Sequence, residues 1–261
     1  MVKKIQRHYY IDLIRGIAFV LMAIDHLLYD IAGIFSGYWD NYFPSSHYLN
    51  VLANSIQTYR ANDISVILRI TLISFVFLFI SGVSSILSKN NIKRGLRLFI
   101  ISFALTFGTY IISLLIKSRS VIIYFGILHC ISICMLVTPL FKKINRNILI
   151  GIAILIISVG FYLTVNNFTV NTNLLVPFNL TSLAFTSADY YPLLPYMGFY
   201  ILGYVAGDYY FNIKKYPRKT NFYKQNIFTY FGKNTLAWYF IHQVLLVVFL
   251  IIFTLINILF V

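Results

Sequence analysis

Apolar runs of about 20 residues, repeated along the chain and separated by short basic loops, restrict this sequence to very few architectures. Each run is long enough to cross a bilayer as a helix, and backbone groups in hydrocarbon need partners within the protein. Helical bundles and closed barrels both meet that need. The runs are continuously apolar rather than alternating, which selects helices. Composition agrees: 59% of the 261 residues are hydrophobic, 11% are charged, and the mean hydropathy is +0.79. The expected fold is an all-α, polytopic integral membrane bundle, a single domain over residues 1–261 set in the lipid bilayer. Seven transmembrane helices are expected, at 10–32, 66–88, 95–116, 121–141, 148–166, 191–211 and 229–257.

The formal charge of +14 arises from 21 Lys and Arg against 7 acidic residues, all Asp. In a soluble protein such a surplus would point to nucleic acid. Here the basic residues fall in alternate loops, which encodes topology instead. Lys3, Lys4 and Arg7 precede the first span. Lys89, Lys93, Arg94 and Arg97 follow the second, and Lys142, Lys143 and Arg146 follow the fourth. Lys214, Lys215, Arg218, Lys219 and Lys224 follow the sixth. The intervening loops carry Arg60, Lys117 and Arg119, so the amino terminus is expected in the cytoplasm and the carboxyl terminus outside. Two long outer loops, 33–65 and 166–190, are rich in Tyr, Asn and Ser; they suit either sugar binding or an aromatic belt at the lipid boundary. Cys130 and Cys134, four apart in an apolar run, read as small buried residues.

Ionisable groups within apolar spans are the functional candidates, because their burial is costly. The first span, IDLIRGIAFVLMAIDHLLYD, holds Asp12, Arg15, Asp25, His26 and Asp30. Arg15 and His26 are eleven positions apart, which on a helix returns to nearly the same face after a rise of roughly 16 Å. Asp30, four residues beyond His26, is expected to orient the imidazole as a general base. His129 and His242 fall near the middle of the fourth and seventh spans. Each histidine comes from a different helix without metal-ligand spacing, so no metal is expected. His8 and His47 lie outside the spans and read as surface residues, His47 on the outer side. Asp189 precedes the sixth span, where it either caps a helix or meets an acceptor. Gly198, Gly203 and Gly207 allow close helix approach there.

The segments IDLIRGIAFVLMAIDH, FVFLFISGVSSI, YFGILHCISI, DYYPLLPYMGFYILG and YFGKNTLAWYFIHQ occur in an order that resembles the bacterial branch of the heparan-α-glucosaminide N-acetyltransferase family. That family is similar to the wider group of membrane acyltransferases that modify cell-surface polysaccharides. The resemblance implies acetyl transfer from cytoplasmic acetyl-CoA to an amino sugar or other glycan acceptor across the membrane, here expected to be a bacterial plasma membrane. It marks Arg15 and His26 as the matched pair. In the animal enzymes the position matching His26 is Asn and the catalytic His lies further along, which makes His47 a second candidate. The animal enzymes' extra soluble region has no counterpart here, so the resemblance does not carry heparan itself over as the substrate.

The resulting expectation assigns catalysis to His26, Asp30 and His242. Arg15, Arg94 and Arg97 would hold the acetyl-CoA phosphates. Asp25, Asp189, His129 and His47 are the candidates for acceptor binding. The expected partners are acetyl-CoA, the glycan or amino-sugar acceptor and the bilayer, with a homo-oligomer left open and nucleic acid not among them. One rival is a proton-coupled transporter or flippase of a polar-lipid or sugar headgroup, against which stands the lack of an inverted repeat. Another is a non-enzymatic membrane scaffold.

Overall fold

The computed structural model describes residues 8–62, 64–65, 72–117, 119–172, 174–219 and 224–259. Lys3, Lys4 and Arg7, and the first part of the expected second span, 66–71, lie outside the described residues. In chain order the helices are α1 (Tyr9–Tyr29), α2 (Ser36–Tyr42), α3 (Tyr48–Ala61), α4 (Ser74–Ile86), α5 (Asn91–Ile116), α6 (Ile127–Phe141), α7 (Arg146–Asn166), α8 (Leu193–Asp208), α9 (Ile227–Lys233) and α10 (Thr235–Leu259). A π-helical turn, Asp30–Phe35, joins α1 to α2, and a second, Tyr209–Ile213, extends α8. Among the described residues, helices over Tyr9–Tyr42, Asn91–Leu115, Arg146–Asn166 and Thr235–Leu259 are long and apolar enough to cross a membrane. Their outer faces carry Leu115, Leu155 and Val244, each more than 60% exposed, a surface suited to lipid rather than water. The protein is an all-α integral membrane protein.

The chain folds as two compact units, one from Met1–Phe77 with Lys219–Val261, the other from Leu78–Arg218. In the first unit, Asp12, Gly16, Phe19, His26 and Asp30 recur at the three- and four-residue steps of one helix face. That face crosses α9 and then follows α10, which runs parallel to α1: Gly16 lies on Phe228, Phe19 on Phe231, His26 on His242 and Asp30 on Gln243. Further along, Ile31, Phe35, Trp39, Phe43, Leu49, Ala53 and Leu250 form an apolar cluster. Trp39 is fully buried and its indole N–H donates to Thr254 Oγ1 at 2.8 Å. The expected outer loop at 33–65 is therefore largely helical, and its tryptophan is core rather than a sugar platform. The hydrophobic spacing of Ile31, Phe35 and Trp39 continues that of the first span, which is why the helix does not stop at the lipid boundary. It ends where Phe43 turns extended ahead of Pro44. His8, expected at the surface, is buried at the N-cap of α1; burial lowers its imidazole pKa, partly offset by the Asp12 carboxylate.

In the second unit, α5 packs on α6 and α7 on α8. Thr138 and the buried Tyr200 hydroxyl hydrogen-bond at 2.8 Å between α6 and α8. Gly203 of α8 rests on the Phe79 carbonyl of α4, a use of small residues that the sequence leads one to expect. The fourth expected span begins late. Val121 closes a short 3-10 turn, residues 122–126 form a loop, and α6 starts only at Ile127. The loop after α7 folds back on it, with Asn179 Nδ2 donating to Gly160 O at 3.1 Å and Thr164 Oγ1 at 2.8 Å.

The tightest approach in the first unit is between α1 and α9. A Cβ added at Gly16 would lie 1.8 Å from Phe228 O, and one at Gly232 1.7 Å from Asp12 O. No rotamer relieves a clash with backbone, so Gly16→Ala or Gly232→Ala must part the helices. Each is expected to lower stability by about 1–3 kcal/mol or more, read as a lower thermal midpoint of the detergent-purified protein. Gly108→Ala, where nothing lies within 4 Å, is the control and should leave the midpoint unchanged or slightly raised.

Candidate active site

Two histidines from helices distant in sequence meet in the first unit. His26 Nδ1 lies 3.0 Å from His242 Nε2, and His242 Nδ1 lies 3.0 Å from Trp238 O. A carbonyl only accepts, so His242 Nδ1 carries the proton and donates. In the neutral ring, His242 Nε2 is then an acceptor, and His26 Nδ1–H must be its donor. One tautomer follows for His26, with the lone pair on Nε2. The α-helical turn from Trp238 to His242 sets this arrangement locally, since a carbonyl four residues back sits beneath the ring. Phe19 packs edge-on against His242 at 5.6 Å and completes an apolar wall. The arrangement can accept a proton at His26 Nε2 and hold the ring still while it does so.

Asp30 does not orient His26. Its carboxylate, fully buried, accepts from Gln243 Nε2 at 3.0 Å on both oxygens. Asp30 keeps its α-helical step from His26, its N–H bonded to the His26 carbonyl, but Gln243 of the neighbouring helix takes both oxygens of the carboxylate instead. Gln243 follows His242 directly in an otherwise apolar run, which was the available signal for it. Asp25, beside His26, is paired with Arg60 Nη1 at 2.8 Å, and the guanidinium lies over the Tyr29 ring at 5.3 Å. Arg60 thus ties α3 to α1 next to the histidine pair; read as a stray loop cation, it gave no hint of this in sequence.

Arg15 lies at the crossing of α1 and α9. Its Nη1 is 3.3 Å from both Asp12 Oδ1 and Gly232 O. His47 is the N-cap of α3, accepting from Leu49 N–H at 3.4 Å and stacked on Phe43 at 4.4 Å. In the second unit, Arg94 and Arg97 are exposed on the first turns of α5. Among the described residues no three His, Cys, Asp or Glu side chains gather as a metal site.

His129 is not at the middle of its helix but in the first turn of α6. Its Nδ1 accepts from Gly126 N–H at 3.2 Å, and its other ring nitrogen meets Thr106 Oγ1 at 3.2 Å. Thr106 in turn donates to Ile123 O at 2.7 Å. Asp189 Oδ2 accepts from Ile127 N–H at 3.0 Å, so it caps α6 rather than the helix that follows it in sequence. If this cap is what Asp189 supplies, Asp189→Ala should cost about 1 kcal/mol of stability while Asp189→Asn, which keeps an acceptor, costs less. Thermal unfolding of the two variants checks this, and equal losses would refute it.

No curated protein and no solved structure matches the chain. A family model described as heparan-alpha-glucosaminide N-acetyltransferase, catalytic, matches residues 7–244. The match runs through α1, with Arg15 and His26, and ends just past His242 and Gln243. The chain belongs to the heparan-alpha-glucosaminide N-acetyltransferase catalytic-domain family.

Proposed function

We propose that this protein transfers an acetyl group from cytoplasmic acetyl-CoA to an amino sugar or other glycan acceptor on the outer side of a bacterial plasma membrane. The reading rests above all on the chain of hydrogen bonds from Trp238 O through His242 to His26, which leaves His26 Nε2 as an oriented base. The acceptor nitrogen or oxygen attacks the thioester carbonyl while His26 Nε2 takes its proton. The carbon–sulfur bond then breaks, and the departing CoA thiolate takes the proton back from His26 Nε2 and leaves as the thiol. Acetyl is thereby moved and the histidine restored. His242 is the positioning residue, and Asp30 acts by anchoring Gln243 beside it.

Arg15, roughly 16 Å along α1 from His26, and Arg94 and Arg97 at the start of α5 are assigned to the phosphates of the donor. Asp25 and His47 are assigned to the acceptor. His129 and Asp189 serve the acceptor side through the loop they hold at the start of α6. The proposed topology has seven spans, amino terminus inside and carboxyl terminus outside, with both units forming one acyltransferase domain. Two observations support it. The basic loops alternate, and α1 runs parallel to α10, as the first and last helices must when the number of crossings is odd.

His26→Ala is expected to lower kcat for acetyl transfer by about 10²–10⁴-fold. His242→Ala should lower kcat by a smaller factor and leave KM for acetyl-CoA unchanged. Thiol release from acetyl-CoA with glucosamine as probe acceptor, by protein in detergent, measures both. Wild-type turnover by His26→Ala would remove His26 as the base, and acetyl-CoA-independent uptake of a sugar into vesicles would favour transport.

A further inference from the structure

The second unit contains a concave polar site that the histidine pair does not use. Its volume is about 440 Å³, within the range of small-molecule sites. Three separate segments each supply one cation to its lining: Lys142 just after α6, Arg146 at the start of α7 and Arg218 after the π turn that extends α8. Asp208 is the one carboxylate in that lining, leaving a surplus of two positive charges. Arg218 donates to Asn212 Oδ1 at 2.6 Å, and Asn212 donates to Asp208 Oδ1 at 2.7 Å, so the acid is engaged through an amide. Arg146 Cζ lies 5.5 Å from the centroid of the Tyr209 ring, a cation–π contact that spends none of its N–H donors on a hydrogen bond to the ring edge.

Asn91 adds a second, independent signal. It lines the same cavity, is 9% exposed, and has its amide fixed by donation from Nδ2 to Ser85 O at 2.9 Å. Its Oδ1 is buried with no hydrogen-bond partner among the described residues, as is the Ser88 hydroxyl beside it. A buried acceptor without a partner costs about 1–3 kcal/mol, so it selects for a ligand that brings a donor. The cations ask for roughly two negative charges, and the amide oxygen asks for a hydroxyl.

We infer that this cavity binds a phosphate ester carrying two or more negative charges together with a hydroxyl on its sugar or glycerol. Two sources share that chemistry: a soluble nucleotide such as the phosphorylated adenosine end of a coenzyme, or a dianionic lipid headgroup at the inner leaflet. The inference stands on the cavity alone. It extends the proposed acetyl transfer where the soluble source holds.

The probes are adenosine 3′,5′-bisphosphate, titrated calorimetrically into lipid-free protein in detergent, and cardiolipin, followed by native mass spectrometry. The Lys142→Ala/Arg146→Ala/Arg218→Ala variant is expected to weaken one of them at least tenfold. Loss of the bisphosphate assigns the soluble source, and loss of cardiolipin assigns the lipid. Arg146→Lys/Arg218→Lys, which keeps the charge, should retain part of the binding and shows whether the triple variant fails only by misfolding. Lys143→Ala/Lys214→Ala, bordering but not lining the cavity, should bind as wild type. Unchanged binding of both probes by the triple variant, or an equal loss in the bordering variant, overturns the inference. His26→Ala should bind the bisphosphate normally, so failure of acetyl transfer and failure of this site are read separately.

Discussion

A polar side chain among apolar helices has no water to turn to, and each one on the inner face of α1 is met by a partner from α9 or α10. Arg15 donates both to the Asp12 carboxylate beside it and across to the Gly232 carbonyl, His26 meets His242, and Asp30 meets Gln243. Leaving any of these groups without its partner would cost more than the contact itself contributes. The polar residues therefore set the register of the helix pair, while Gly16 and Gly232 set how near the backbones come. Beyond Asp30 the same pairing continues in apolar form, with Trp39 and Leu250 in one cluster and a single buried hydrogen bond from Trp39 to Thr254.

Because the two helices run parallel, residues that rise together along α1 and α10 stay opposite one another. That is what allows two histidines separated by 216 positions to share a hydrogen bond. Gln243 is one residue past His242 while Asp30 is four past His26, so the length of the Gln243 side chain spans the difference in rise to reach the carboxylate. The ion pair of Asp25 with Arg60 brings α3 to the same level from the other side of His26. An imidazole held between these contacts has little freedom to rotate, which is what a base of fixed direction requires.

Much of this was legible in the sequence, and the rest was hidden for physical reasons. Apolar length and loop charge point to membrane helices without any tertiary knowledge. The ionisable residues on α1 stand out because hydrocarbon penalises them. Helix ends were harder. Residues 33–65 look like a polar loop by composition, yet Trp39, Leu49 and Ala53 turn one face of it into core. His129 looks central to a span, but the first turn of α6 is started at Ile127 by Asp189, 62 residues further along the chain, and no local pattern announces that contact. Asp30 illustrates the limit for sites: its spacing from His26 is right for an α-helix and the helix is kept there, yet Gln243 from a helix distant in sequence takes the carboxylate.

Orientation by an imidazole differs in kind from orientation by a carboxylate. A carboxylate behind the base both fixes its tautomer and balances the charge that appears when the base takes a proton. His242 fixes the tautomer of His26 but brings no negative charge. Its Nδ1–H is committed to Trp238 O, so its Nε2 is the one place to which the proton on His26 Nδ1 can lean. The positive charge of the transfer step would then be shared across two rings rather than neutralised. Nearby carboxylates are already engaged, Asp30 by an amide and Asp25 by Arg60. A base held this way suits a step in which the proton is kept only briefly, taken from the acceptor and surrendered at once to the departing thiolate, with no stable ion pair to trap it.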